Sequence, residues 1–124
     1  MIIAVASQEP YVRSTLALEF GRAPYFIVAN TDTDELIVHS NLAWSRRTHA
    51  AGICTAESII RLGVDAVIAQ AIGPKALATL RYGYVTVYRH DGGTVEEAIE
   101  RAKAGQLQAV TAANTQGHSR EALT

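Results

Sequence analysis

The stretch from Asp65 to Tyr88, DAVIAQAIGPKALATLRYGYVTVY, changes structural period twice. Asp65-Ala66-Val67-Ile68-Ala69 is a short apolar run that reads as a strand. Gly73-Pro74 follows, and proline's fixed φ suits the first turn of a helix that continues through Ala76, Leu77 and Leu80 to Gly83. Tyr84-Val85-Thr86-Val87-Tyr88 then returns to a strand. A strand, a helix and a strand in succession require parallel pairing with a right-handed crossover.

Outward from this unit the same logic recurs. Upstream, from about Ala51, Ile53, Ala56 and Ile60 form one helical stripe with Ile59 beside it, and Gly63 closes the helix. Downstream, Gly92-Gly93 leads to Thr94-Val95-Glu96-Glu97, a capping box in which Thr94 and Glu97 satisfy each other's backbone donors. The apolar positions Val95, Ala98, Ile99 and Ala102 then recur at helical spacing, with acids early, Arg101 and Lys103 late, and Gly105 after them. Nearer the amino terminus, Ile2 to Ala6 is an uninterrupted apolar run, expected to be a central strand buried on both faces. Tyr25 to Ala29 and Glu35 to His39 flank the polar link Asn30 to Asp34, the pattern of an antiparallel hairpin. Gln8 to Pro24 reads as a long, partly ordered connection.

This succession predicts an α/β domain with a mixed five-stranded sheet of order 3-2-1-4-5 and three helices, the ribonuclease-H-like arrangement. The domain is expected to span residues 1–107, with 108–124 a flexible tail that frays after about Val110. The chain has 124 residues, 48% of them apolar, enough for one domain with a real core. Its formal net charge of −1 supplies no footprint for a phosphate backbone, so nucleic acid is not an expected partner. A single cysteine excludes an internal disulfide, and no apolar run approaches the length of a membrane span. No membrane partner is expected, and the start of the sequence lacks the features of a signal peptide, so a cytoplasmic location is expected.

Several chemistries lack their residues. A nuclease of the ribonuclease-H type needs a carboxylate on the first strand to hold metal against phosphate, and Ile2 to Ser7 contains none. Gly73-Pro74-Lys75 lacks the upstream glycine and following hydroxyl of a phosphate loop, and there is no G-x-G-x-x-G. None of the serines lies in a nucleophile elbow. No enzymatic activity is expected.

Cys54 is the single residue with the most chemistry to offer. It lies about 100° around the helix from Ile53, at the edge of the apolar stripe, near a helix N-terminus whose dipole favours the metal-binding thiolate. His49 lies just upstream. The plainer readings are a small packed cysteine and a solvated loop histidine. His39 and His90, at a strand end and in a loop, are weaker candidates for metal. The loops following the first, fourth and fifth strands should meet at the carboxyl edge of the sheet, where open α/β sheets bind ligands. The helix containing Cys54 begins at that same edge.

Four motifs in order, Phe20-Gly21-Arg22-Ala23-Pro24-Tyr25-Phe26, Gly63 to Ala69, Ile72-Gly73-Pro74-Lys75-Ala76-Leu77 and Thr94 to Ile99, carry a family likeness. The sequence resembles the dinitrogenase iron–molybdenum cofactor biosynthesis family over about Met1 to Leu107. The resemblance implies a ribonuclease-H-like fold and a non-enzymatic role: binding an iron–sulfur or iron–molybdenum cluster, or transferring it between a donor and an acceptor protein. Family members often carry His immediately before Phe-Gly; Glu19 occupies that place here. The expected site is therefore a rim with Cys54 and His49 as metal ligands, Glu19 beside them, and amides near Gly73 assisting an anionic cluster. One cysteine cannot supply four thiolates, so such a site would be open and suited to transfer. The alternative is a protein–protein interaction module on the same fold with no cluster.

Overall fold

The computed structural model describes residues 1–114. In chain order the elements are β1 (Ile2–Ser7), a 3-10 turn (Phe20–Arg22), β2 (Tyr25–Asn30), β3 (Leu36–Ser40), α1 (Leu42–Ser45), α2 (Ala51–Arg61), β4 (Ala66–Ala69), α3 (Pro74–Tyr82), β5 (Thr86–Arg89), α4 (Val95–Lys103) and β6 (Gln108–Ala109). They form one mixed sheet of order β3-β2-β1-β4-β5-β6. β1 pairs antiparallel with β2 and parallel with β4, and β4 pairs parallel with β5, as the crossover argument requires.

Because β1 is central, its side chains divide between two cores. Ala4 and Ala6 face one layer with Phe20, Phe26, Ile59, Val67, Leu77 and Leu80, which α2 and α3 cover. Ile3 and Val5 face the other, with Ile27, Ile68, Val95 and Ile99, which α4 covers. The small residues of the first face let α2 and α3 lie close to the sheet. In that layer the rings of Phe20 and Phe26 meet edge to face at 5.4 Å.

Five details differ from the sequence expectation. Among the described residues the sheet has six strands rather than five: Tyr88 and Arg89 of β5 recruit Ala109 and Gln108 as an antiparallel edge. Residues 108–110, assigned above to the tail, are docked by these pairings and by the Val110 amide, which donates to Val87 O at 2.7 Å. The rest of that tail beyond Asn114 lies outside the described residues. Among the described residues there are four helices rather than three, since α1 is a single turn too short to show a period. The buried face of α2 centres on Thr55, Ala56 and Ile59, leaving Ile53 and Ile60 half-buried. Its rotation follows from Asn41, fully buried, whose Nδ2 donates to Thr55 Oγ1 at 3.0 Å and to Ala23 O at 2.9 Å. Finally, β5 begins two residues late because Tyr84 adopts φ 60°, a left-handed residue after α3 whose amide donates to Arg81 O.

The capping box of α4 forms as expected. The Glu97 amide donates to Thr94 Oγ1 at 3.2 Å, and the Thr94 amide donates to Glu97 Oε1 at 3.0 Å. The Thr94 amide and hydroxyl, both donating to Glu97 Oε1, hold the Glu97 carboxyl below its usual range.

Candidate functional site

Gln70, the first residue after β4, ties together the loops at the carboxyl edge of the sheet. Its Nε2 donates to Leu16 O at 3.3 Å and Ala17 O at 3.4 Å, while its Oε1 accepts from the Gly92 amide at 2.9 Å. One side-chain amide thus joins the connections that follow β1, β4 and β5. The long connection after β1 is itself ordered as sheet-like extensions: Ser7 bridges Leu16, and Glu19 bridges Ala71 in parallel. Phe20 N donates to Ala71 O at 2.8 Å, and Ala71 N donates to Leu18 O at 3.1 Å.

That pairing places half-buried Glu19 beside Ala71, in the segment that leads to Gly73. Gly73 is the N-cap of α3, with Pro74 at its first position. Just before it, the Ile72 amide is held by Asn114 Oδ1 at 2.8 Å, and Asn114 Nδ2 returns a bond to Gln70 O at 2.8 Å. The entry to α3 is therefore fixed from both sides.

The second helix arrives at the same rim. Arg22 Nη1 donates to Ser45 O at 2.9 Å and Arg47 O at 2.7 Å, pinning the segment between α1 and α2 against the 3-10 turn. Arg47 lies over the Trp44 ring at 5.7 Å and donates through Nε to His49 O at 3.3 Å. The chain then enters α2 through Ala50 at φ 59°, a left-handed conformation that costs a non-glycine residue on the order of 1–2 kcal/mol. Inside the first turn, a Cβ on Gly52 would lie 3.3 Å from Ala76 Cβ. The N-terminal turns of α2 and α3 therefore abut, and no side chain among the described residues caps either one.

The first turns of α2 and α3 lie side by side, and each helix N-terminus carries a partial positive charge. Cys54 is the fourth residue of α2, half-buried and free. His49 is exposed, two residues before the helix. Glu19, Gly73 and Cys54 thus lie on elements that pack together at one edge, with His49 at its outer margin. Among the described residues, no group of three or more His, Cys, Asp and Glu side chains comes together to hold a metal ion. Cys54 is the fourth residue of one of the two abutting turns, and the first turn of α3 lies against that same turn.

Two further histidines among the described residues, His39 and His90, each have a hydrogen-bond partner of their own. His39 Nε2 is 3.1 Å from Ser58 Oγ, and burial pushes its pKa down. His90, almost buried, hydrogen-bonds through Nδ1 to Gly92 O at 2.9 Å. It borders a groove of about 700 Å³ on the α4 side, lined also by Arg89, Asp91, Glu97, Arg101 and Gln106. None of Glu19, His49, Cys54 and Gly73 lines that groove; within it Arg89 pairs with Asp91, and Glu97 is engaged by Thr94.

Comparison with known proteins agrees with this frame. The family model described as dinitrogenase iron-molybdenum cofactor matches residues 1–105. The chain belongs to that family. The apo form of the orange protein from Desulfovibrio gigas superposes with a TM-score of 0.88 at 29% identity, covering 92% of this chain and 96% of that one. A Thermotoga protein solved by NMR, provisionally assigned as NifB, gives a TM-score of 0.81 at 33% identity over 94% of this chain and 98% of its own. An uncharacterized protein from Methanocaldococcus jannaschii is 28% identical over 101 residues, which is 80% of this chain and 86% of the relative. No helix among the described residues of this family member is long and apolar enough to cross a membrane.

Sequence reasoning brought the loops to the correct edge but missed Gln70, Arg22, Asn41 and Asn114, the polar side chains that hold them there. Buried or bridging amides have no periodic signature, so only the folded chain reveals them.

Proposed function

We propose that this protein is a non-enzymatic carrier that binds an iron–sulfur or iron–molybdenum cluster on a ribonuclease-H-like frame and passes it between a donor and an acceptor protein. The observation that carries this reading is the contact of the first turns of α2 and α3 at Gly52 and Ala76, with the sole cysteine in one of them. Sulfide-rich clusters are anionic, and paired helix N-termini present backbone donors to an anion without requiring a basic side chain. Cys54 supplies one soft ligand; sulfide belonging to the cargo supplies the rest.

A single protein thiolate holds a cluster less permanently than four, which suits delivery over storage. Family membership supports the same direction, as does the likeness to a protein named for its colour and known in an apo form. Glu19 and His49 border the rim as a hard carboxylate and an exposed imidazole that a cluster on Cys54 would meet on leaving or arriving. The test is the iron, molybdenum and sulfide content, with the visible spectrum, of protein purified without oxygen. Coloured protein containing sulfide and iron or molybdenum supports the carrier; colourless, metal-free protein that also fails to take up a supplied cluster overturns it.

A further inference from the structure

Among the described residues β3 is an edge of the sheet with no strand beyond it, and it lacks the features that usually protect an edge. Edge strands are ordinarily shortened, bulged, or marked with charge or proline against pairing with another chain. The opposite edge follows that rule, since β6 has only two residues. β3, in contrast, is Leu36-Ile37-Val38-His39-Ser40, with no charged carboxylate, ammonium or proline, and its register with β2 runs unbroken from Tyr25–Ser40 to Ala29–Leu36. Leu36, Ile37 and Val38 are 48%, 59% and 48% exposed, three consecutive large apolar residues on one edge.

The backbone of this edge is complementary to itself. Asn30 N donates to Glu35 O and Asn41 N donates to Pro24 O, so the alternation of an antiparallel ladder turns the polar groups of Leu36, Val38 and Ser40 away from β2. A two-fold axis at Val38 sets Val38 opposite its own copy and Leu36 opposite Ser40. Each outward N–H then meets an outward C=O.

Charge selects the same orientation. The turn before β3 holds Asp32, Asp34 and Glu35, and the segment after α1 holds Arg46 and Arg47. Asp32 pairs with the amino terminus and Asp34 with Lys103, which leaves Glu35 and Arg46, both exposed, without an ion pair among the described residues. An antiparallel partner brings the acidic end of one strand beside the basic end of the other, whereas a parallel partner would set like charges together.

The geometry points to β3 as a self-association edge, whose occupant is the β3 strand of a second copy of this chain, joined antiparallel about Val38 into one continuous sheet. β3 runs parallel to β1, so the two-fold sends the two rims to opposite ends of the dimer. Pairing therefore leaves both rims open, and this inference does not rest on the cluster.

Sedimentation equilibrium from low micromolar to about 1 mM protein tests it, because an interface of one strand per copy is small and binds weakly. Wild type should show a monomer–dimer equilibrium. Val38→Lys, which sets two ammonium groups face to face at an exposed position, should weaken it by about tenfold or more with an unchanged circular dichroism spectrum. Glu35→Arg should also weaken it, and Glu35→Arg with Arg46→Glu should restore it. A wild type that remains monomeric throughout, or a dimer indifferent to both Val38→Lys and Glu35→Arg, would overturn the proposal.

Discussion

Gly52 and Ala76 bring the first turns of two helices into contact: a Cβ on Gly52 would lie 3.3 Å from that of Ala76. The packing of the rim depends on the absent side chain. Gly52→Ala exchanges a tight contact for a helix-propensity gain of about 1 kcal/mol, so its net effect on stability should be small. Gly52→Leu has no space to enter and should cost about 1–3 kcal/mol in urea unfolding while lowering cluster uptake. Equal stability and equal uptake in both variants would show that the two turns do not form one surface.

Asn41 links the end of β3 to α2 and to Ala23 through a fully buried amide. Asn41→Ala strands the Ala23 carbonyl and the Thr55 hydroxyl away from water. An unfolding free energy lower by about 1–3 kcal/mol is expected, read by chemical denaturation. A loss well under 1 kcal/mol would mean that water replaces the amide.

His39 makes stability depend on pH. Burial lowers its pKa in the folded chain below the ordinary 6.5, so the unfolded chain binds the proton more readily. Its neutral form is favoured by folding; stability is unaffected above about pH 6.5 and falls as the pH drops from there through the lowered folded value. His39→Gln retains a partner for Ser58 Oγ and should flatten this part of the profile of melting temperature against pH. An identical slope in wild type and variant between pH 7 and 5 would contradict the assignment.

Much of this architecture was legible in the sequence for a physical reason. Strands buried on both faces are written as unbroken apolar runs, as at Ile2 to Ala6 and Ala66 to Ala69, and a helix imposes a period of 3.6, as at Val95, Ala98, Ile99 and Ala102 after the Thr94–Glu97 box. Chain chirality and the hairpin then restrict the strand order. α1 and β6 were not legible because one turn and two residues carry no period. The face of α2 was misplaced because Thr55 is buried by its bond to Asn41, a polar contact distant in sequence. At the site, the convergence of loops follows from parallel strands, but the bridging by Gln70 and Asn114 depends on tertiary geometry alone.

Asn114 illustrates this. Its side chain both accepts from Ile72 N and donates to Gln70 O at the entrance to α3. Asn114→Ala should lower stability by about 1 kcal/mol and speed hydrogen exchange at the Ile72 amide, with the amides of β1 unchanged. Unaltered exchange at Ile72 would show that this bond does not hold the loop in solution.

The central claim is that the rim formed by α2 and α3 carries a cluster through Cys54. Anaerobic reconstitution with iron and sulfide, alone and with molybdenum, followed by metal analysis and visible spectroscopy on wild type, Cys54→Ala and His49→Ala, tests it most directly. The account predicts a coloured wild type, loss of most bound metal and colour in Cys54→Ala, and a smaller decrease in His49→Ala. A wild type that acquires no cluster, or a Cys54→Ala variant that binds it with undiminished stoichiometry and affinity, would contradict it.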